Sequence, residues 1–422
     1  MYTKSKLANG LTLITAPLSG TAAVTVLVLV PVGSRFETKN INGVSHFVEH
    51  LLFKGTIKRP TSMDITKELD AVGAEFNAFT SKDFTGYYIK AAAKNIELAF
   101  DILSDMLMNS VFDPKEVNKE RGVIVEEINM YHDNPIMALH GLFEQTVFND
   151  NSLGWEIAGP KTVIRSVSRN QLLKYKQNHY QPRNFVVTVA GDFNKVKVKS
   201  LTQKYFGHSN VHHKKFSYKK MGITQSQPRV SLMFKDTQQV QLGLGFPAFG
   251  QEDKRLFAEY LLAVILGGNM SSRLFDVVRE QHGLAYYVRA EADTYQDTGY
   301  FVVQAGLDKS RLAPAIKLIL AELKKAADHG VTAKELKAAK EYLKGKLVLA
   351  LEDSESVADW YGKQWTLQKK ILTPQQRLKK VMAVSQSQVQ NAAKTIFKAN
   401  YLNLALIGPF KDKSELKKLL KF

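Results

Sequence analysis

The run TAAVTVLVLVPVG, from Thr21 to Gly33, is apolar almost without interruption and rich in β-branched residues, which predicts a buried strand; it is too short to cross a membrane as a helix. AEFNAFTS, from Ala74 to Ser81, also reads as a strand. Elsewhere the spacing changes to that of helices, as in KNIELAFDILSDML from Lys94 and RLAPAIKLILAEL from Arg311. Asn42 and Gly43 can open a helix and Gly55 can close it, so His46 to Phe53 is predicted helical. Another helix start is predicted at Asp113, where Asp113 as N-cap, Pro114 in the first turn and Glu116 two residues later agree.

These patterns occur twice, at an offset of about 210 residues and in the same order. NFVVTVAGDF from Asn184 is answered by YLNLALIGPF from Tyr401, and DFTGYY from Asp83 by DTGYFV from Asp297. HFVEHLLF from His46 lines up with LFAEYLLAVILGG from Leu256. Each half runs from strands to helices and back to strands, which predicts an α+β unit with helices packed on one face of a mostly antiparallel sheet. The expected domains are residues 1–212 and 213–422. The polar stretch from Gly207 to Val230 reads as the linker, and its His208, His212 and His213 lack the packed surroundings that fix metal ligands.

With 422 residues, 45% of them apolar, the chain can bury two sizeable cores. The absence of cysteine excludes disulfides, thiolate metal sites and cysteine nucleophiles, so any metal must be held by His, Asp or Glu. Lys plus Arg number 58 against 40 Asp plus Glu, a formal net charge of +18. Such an excess can attract nucleic acid, acidic lipid or acidic peptides. The lysines are spread along helical faces and no basic motif interleaved with aromatics is visible, so the expectation is a solvated basic surface with no nucleic-acid and no membrane partner. The N-terminal segment has neither the order of a secretory signal nor the composition of a transit peptide, and a cytoplasmic protein is expected.

One stretch carries candidate chemistry. In SHFVEHLLFKGT, from Ser45, two histidines four residues apart enclose a glutamate. On a helix, His50 lies about 40° from His46, and Glu49 about 60° from it on the other side, so all three share a face. Two imidazoles at that spacing can bind one zinc ion, and the carboxylate beside them can reach a water rather than the metal. An ordinary helix could carry the same residues, and a third ligand is required. The helix starting at Asp113 offers Glu120 and Glu127 on one face, with Glu126 rotated away by about 100°.

The run GVSHFVEHLLFKGT, with 76 residues between His50 and Glu127 of ERGVIVEE, resembles the inverted-motif zinc metallopeptidases of the pitrilysin and insulinase type, whose half-size members include the mitochondrial processing peptidase. The similarity covers nearly the whole chain, including GNMSSRLFDVVREQHGLAYYV in the second half. The resemblance implies that His46, His50 and Glu127 bind zinc, Glu49 activates the water, and Glu120 orients a ligand histidine. It also implies that the strand holding Asn77, Ala78 and Phe79 receives a peptide by strand addition. Arg279 and Tyr286 match the family's pair that assists binding and stabilises the oxyanion. Leu256 and Tyr260 stand where His46 and His50 stand in the first half, so the second half is expected to keep the fold and lose the metal. Such a chain would form half of a clam-shell chamber that admits short or unfolded peptides. A homodimer is expected, with Arg279 and Tyr286 facing the partner's zinc site; a heterodimer with a metal-free relative, or a non-catalytic scaffold subunit, is the alternative. The His, His, Glu set suits zinc best and could accept manganese or cobalt.

Overall fold

The computed structural model describes residues 2–207 and 217–422, so His208, His212 and His213 lie outside the described residues. The first sheet contains β1 (Thr3–Lys6), β2 (Thr12–Pro17), β3 (Ala23–Val30), β4 (Glu75–Thr80), β5 (Thr85–Ala92) and β6 (Val186–Gly191). Its order is β1-β2-β6-β3-β5-β4, with β2 and β6 parallel and every other pair antiparallel. The second contains β7 (Arg229–Phe234), β8 (Gln239–Ala248), β9 (Ala285–Thr294), β10 (Gly299–Asp308) and β11 (Asn403–Gly408), in the order β7-β11-β8-β10-β9. Here β7 and β11 are the parallel pair. Position for position this is the first sheet without β1, so the duplication legible in the sequence is a duplication of topology.

Seven helices cover the sheets or carry site residues: α1 (Val44–Leu52), α2 (Ile96–Asn109), α3 (Pro114–Asp133), α4 (Pro135–Phe148), α5 (Leu256–Gly267), α6 (Leu312–His329) and α7 (Ser354–Gln368). In β3, Val24, Val26, Val28 and Val30 point into a core shared with Phe47 and Leu51 of α1 and Phe100 and Leu103 of α2. Leu27 and Leu29, on the opposite face, pack with Val357, Ala358 and Tyr361 of α7. The second sheet repeats this. Phe301, Val303 and Ala305 of β10 join Leu261 of α5 and Ile316 and Ile319 of α6, while Tyr300 and Val302 meet Leu139 and Phe143 of α4.

A central strand apolar on both faces needs cover on both. The helices that each half supplies to its own sheet lie on one face, as expected. The other face is covered by a single helix from the opposite half of the chain, α7 on the first sheet and α4 on the second. The compact units are therefore Met1–Asn129 with Glu156–Tyr218 and Leu347–Ile371, and Met130–Trp155 with Lys219–Lys346 and Leu372–Phe422. They differ in this from the contiguous halves 1–212 and 213–422. Gly362 of α7 marks the close approach: a Cβ there would stand 2.8 Å from Thr188 Oγ1 of β6. Among the described residues no helix is long and apolar enough to cross a membrane.

Candidate metal centre

The helix α1 is entered through Gly43, at φ 99°, where a Cβ would stand 2.5 Å from the Ala158 carbonyl oxygen, so only glycine fits. Glycine offers no capping side chain, and a residue six positions upstream supplies the cap. The buried Glu37 carboxylate accepts from the backbone N–H groups of Gly43 at 2.8 Å and Ser45 at 2.6 Å, and from Asn42 Nδ2 at 3.0 Å. Burial pushes the Glu37 carboxyl up to about 7 despite these bonds. Ser45 Oγ and the buried Tyr175 hydroxyl are 2.7 Å apart, which pins the same turn from behind.

One and two turns into the helix, His46 and His50 present their Nε2 atoms 3.2 Å apart. Glu127, brought in by α3, places Oε2 3.5 Å from His46 Nε2 and 3.4 Å from His50 Nε2. Ligand atoms at the corners of a tetrahedron with zinc bonds of about 2.1 Å are about 3.4 Å apart. The three separations thus fit one small tetrahedral cation, and nitrogen, nitrogen and carboxylate oxygen form a donor set that zinc accepts. Among the described residues this is the sole group of three such side chains with donors within 4.8 Å of one another.

The charges are arranged to match. His46 is held down at about 4, by burial first and the adjacent His50 second, against the pull of Glu127. Burial alone would also lower His50, but its bonds to Glu120 and Glu127 outweigh that and push it up to about 9. Glu127 stays below the ordinary carboxylate value, its burial outweighed by the His50 hydrogen bond and the two imidazoles. The cluster therefore attracts a positive charge at its centre, which a proton on His50 or a dication can provide. Glu120, 1% exposed, accepts at 3.2 Å from His50 Nδ1, which turns Nε2 toward the cluster.

Glu49, beside the donors, also reaches the end of β4, where Thr80 Oγ1 donates to its Oε2 at 2.5 Å. Burial raises the Glu49 carboxyl, partly offset by that bond. The strand β4 is the edge of its sheet. Asn77, Ala78 and Phe79 stand opposite Tyr88, Tyr87 and Gly86 of β5, and the Ala78 N–H donates to Asn77 Oδ1 at 2.9 Å, on the open side of the edge strand. Sequence reasoning missed three residues here. Glu37 has no local signal, Thr80 was visible only as the end of a strand, and Lys54, whose ammonium is 2.8 Å from Glu120 Oε1, lies past the end of α1, where helical spacing does not single it out.

Two family models match the chain, insulinase (peptidase family M16) over residues 13–161 and the peptidase M16 inactive domain over residues 166–343. The chain is 35% identical over 415 residues to an uncharacterized zinc protease of Streptomyces coelicolor, covering 97% of this chain and 90% of the relative. It is also 35% identical over 402 residues to one of Bacillus subtilis, with 95% and 97% covered. This chain belongs to peptidase family M16. Among solved structures, a protease from Helicobacter pylori superposes with a TM-score of 0.91 at 26% identity, covering 97% of this chain and 99% of that one. A peptidase M16 inactive domain from Pseudomonas fluorescens, at 16% identity, shares the fold with a TM-score of 0.90.

In the half matched by the M16 inactive-domain model, α5 carries Leu256 and Tyr260 in place of histidines. Glu259 remains and is fully buried, and burial pushes its carboxyl well above the ordinary value. Arg279 lies in a π-helical segment, Phe275–Gln281, with its guanidinium 4.7 Å from the Phe275 ring and 6.0 Å from the Tyr286 ring. Tyr286, on β9, is 76% exposed. The structure thus joins His46, Glu49, His50, Glu120 and Glu127 in one cluster and places Arg279 beside Tyr286 in the other unit.

Proposed function

We propose that this M16 chain is a zinc-dependent endopeptidase acting on short or unfolded peptides. The reading is carried by the convergence of His46, His50 and Glu127 at tetrahedral spacing, with a second carboxylate, Glu49, alongside. The chemistry that zinc supplies when bound is Lewis acidity, toward a water and toward the scissile carbonyl. Glu49, raised by burial, takes the proton of the attacking water and passes it to the leaving amine. Thr80 restrains Glu49 through one oxygen and leaves the other for proton transfer. The outward edge of β4, at Asn77, Ala78 and Phe79, pairs with the extended peptide, the Ala78 N–H exchanging its Asn77 partner for a substrate carbonyl. Arg279 and Tyr286 donate to the oxyanion, each site being completed by a second copy of the chain in a homodimer that encloses a chamber.

The test is metal analysis of the purified protein together with cleavage of a quenched peptide, with and without chelator. One zinc per chain and chelator-sensitive cleavage support the reading. Zinc without cleavage in a verified homodimer would leave a scaffold or a heterodimer subunit in its place, and no zinc at all would overturn the metal site.

A further inference from the structure

We propose that Lys54 is a positioning residue of the metal site, acting through Glu120 to hold His50 in the orientation that receives zinc. The inference rests on the reading of His46, His50 and Glu127 as ligands and extends it to a residue outside the donor set. Lys54 follows α1 by two residues, four and eight positions beyond His50 and His46, and the turn that ends the helix brings its side chain to Glu120. The tight turn after it depends on Gly55, at φ 127°, where a Cβ would stand 2.2 Å from the Pro60 carbonyl oxygen.

The Lys54 ammonium is 2.8 Å from Glu120 Oε1, while Glu120 Oε2 accepts from His50 Nδ1 at 3.2 Å. One carboxylate thus joins a fixed cation to a ligand imidazole, one oxygen to each. The contact is a 2.8 Å ion pair, and together with His50 it holds the Glu120 carboxyl below its ordinary value against the effect of burial. Glu120 is 1% exposed, and a buried carboxylate is tolerated only beside compensating positive charge. With a dication seated among neutral imidazoles, Glu49, Glu120 and Glu127 bring three negative charges against two positive ones. The Lys54 ammonium restores neutrality at the place where the excess lies. His50 depends on this more than His46 does, because His46 Nδ1 is buried without a partner and its ring is set by the anchored start of α1. Removing Lys54 leaves Glu120 buried and unbalanced, free to turn away from His50.

The test measures zinc affinity by chelator competition in wild type, Lys54→Met, Lys54→Arg, Glu120→Gln and the Lys54→Met/Glu120→Gln double variant. Supporting residues of this kind are worth about 10–100-fold in metal affinity, and that loss is expected for Lys54→Met, with recovery to within about threefold in Lys54→Arg. Because Lys54 acts through Glu120, its removal should cost little more once Glu120 is Gln, and the cobalt-substituted Lys54→Met protein should show a shifted visible absorption from the reoriented ligand. Circular dichroism of the metal-free variants separates this from misfolding; should Lys54→Met fail to fold, the Lys54→Arg and Lys54→Gln pair carries the comparison. An unchanged affinity in folded Lys54→Met, or additive losses in the double variant, overturns the role of Lys54 while zinc binding by wild type keeps the ligand reading intact. Failure of wild type to bind zinc overturns that reading instead.

Discussion

Glu49 and Glu127 both stand near the imidazoles, yet only Glu127 points an oxygen between them, and this predicts opposite behaviour on removing each charge. Glu49→Gln should lower turnover by about 10²–10⁴-fold with zinc content unchanged, as expected for loss of a proton acceptor. Glu127→Gln should weaken zinc by at least about 100-fold, whereas Glu126→Gln, exposed on another face of α3 and bonded to Asn129, should not. Chelator competition beside peptide cleavage checks all three, and zinc loss in Glu49→Gln would remove that residue from the role of base. Zinc binding should also depend on pH. His50 keeps its proton up to about 9 in the metal-free site, and a metal must displace it. Affinity should therefore rise about tenfold per pH unit from 7 toward 9 and then level off, which titrations at several pH values would show. The helical spacing of His46, Glu49 and His50 is a property of the sequence alone, so their shared face was legible; the choice of Glu127 over Glu126 followed from spacing plus the family resemblance. Thr80 and Lys54 were not legible as site residues, because their partners are brought to them only by tertiary folding.

At the scale of elements, α1 and β4 are the parts whose local sequence understates their construction. Gly43 cannot cap, so α1 depends on Glu37, six residues before it and buried. The folded form holds the Glu37 proton up to about 7, against 4.5 for an ordinary glutamate, so this group favours the folded state fully below about 4.5 and loses that contribution as pH rises to 7. The difference in stability between wild type and Glu37→Gln should shift by roughly 3 kcal/mol between pH 4.5 and 7, against wild type at the higher pH. Urea unfolding of both proteins across that range checks the sign. In β4, the Ala78 N–H faces away from the sheet, so a proline there removes no ladder hydrogen bond. Ala78→Pro should leave stability within about 1–2 kcal/mol of wild type and raise KM for peptides at least about tenfold; an unchanged KM would remove the edge from the binding site. The sequence predicted β4 and α1 as elements within two residues of their bounds, because alternation and helical periodicity are local signals. Which edge β4 occupies was a matter of pairing, invisible in the run itself.

For the whole molecule, the duplication in sequence became two sheets of one topology, while the exchange of α4 and α7 between the units did not follow from it. Periodicity identifies a helix and its apolar face but not which sheet that face will cover, and both sheets here present an apolar outer face of similar character. At this scale the assignment of Arg279 and Tyr286 is tested by complementation. If two copies share their sites, mixing a Glu49→Gln chain with an Arg279→Ala chain should restore cleavage, up to about one quarter of the wild-type rate for random pairing in which one site of each mixed dimer is intact. No recovery in a verified mixed dimer would place the pair outside the partner's site.

By itself the sequence determined what short range controls: the helix that puts His46, Glu49 and His50 on one side, the start of the helix bearing Glu120 and Glu127, the strand at Asn77, the repeat, and the loss of histidines in the second copy. Only the tertiary structure decided that Nε2 of both imidazoles and Oε2 of Glu127 lie 3.2–3.5 Å apart, that Glu37 caps the metal-bearing helix, and that Lys54 balances Glu120. Periodicity comes from bond geometry within a few residues, whereas convergence and charge balance come from burying side chains that are far apart along the chain.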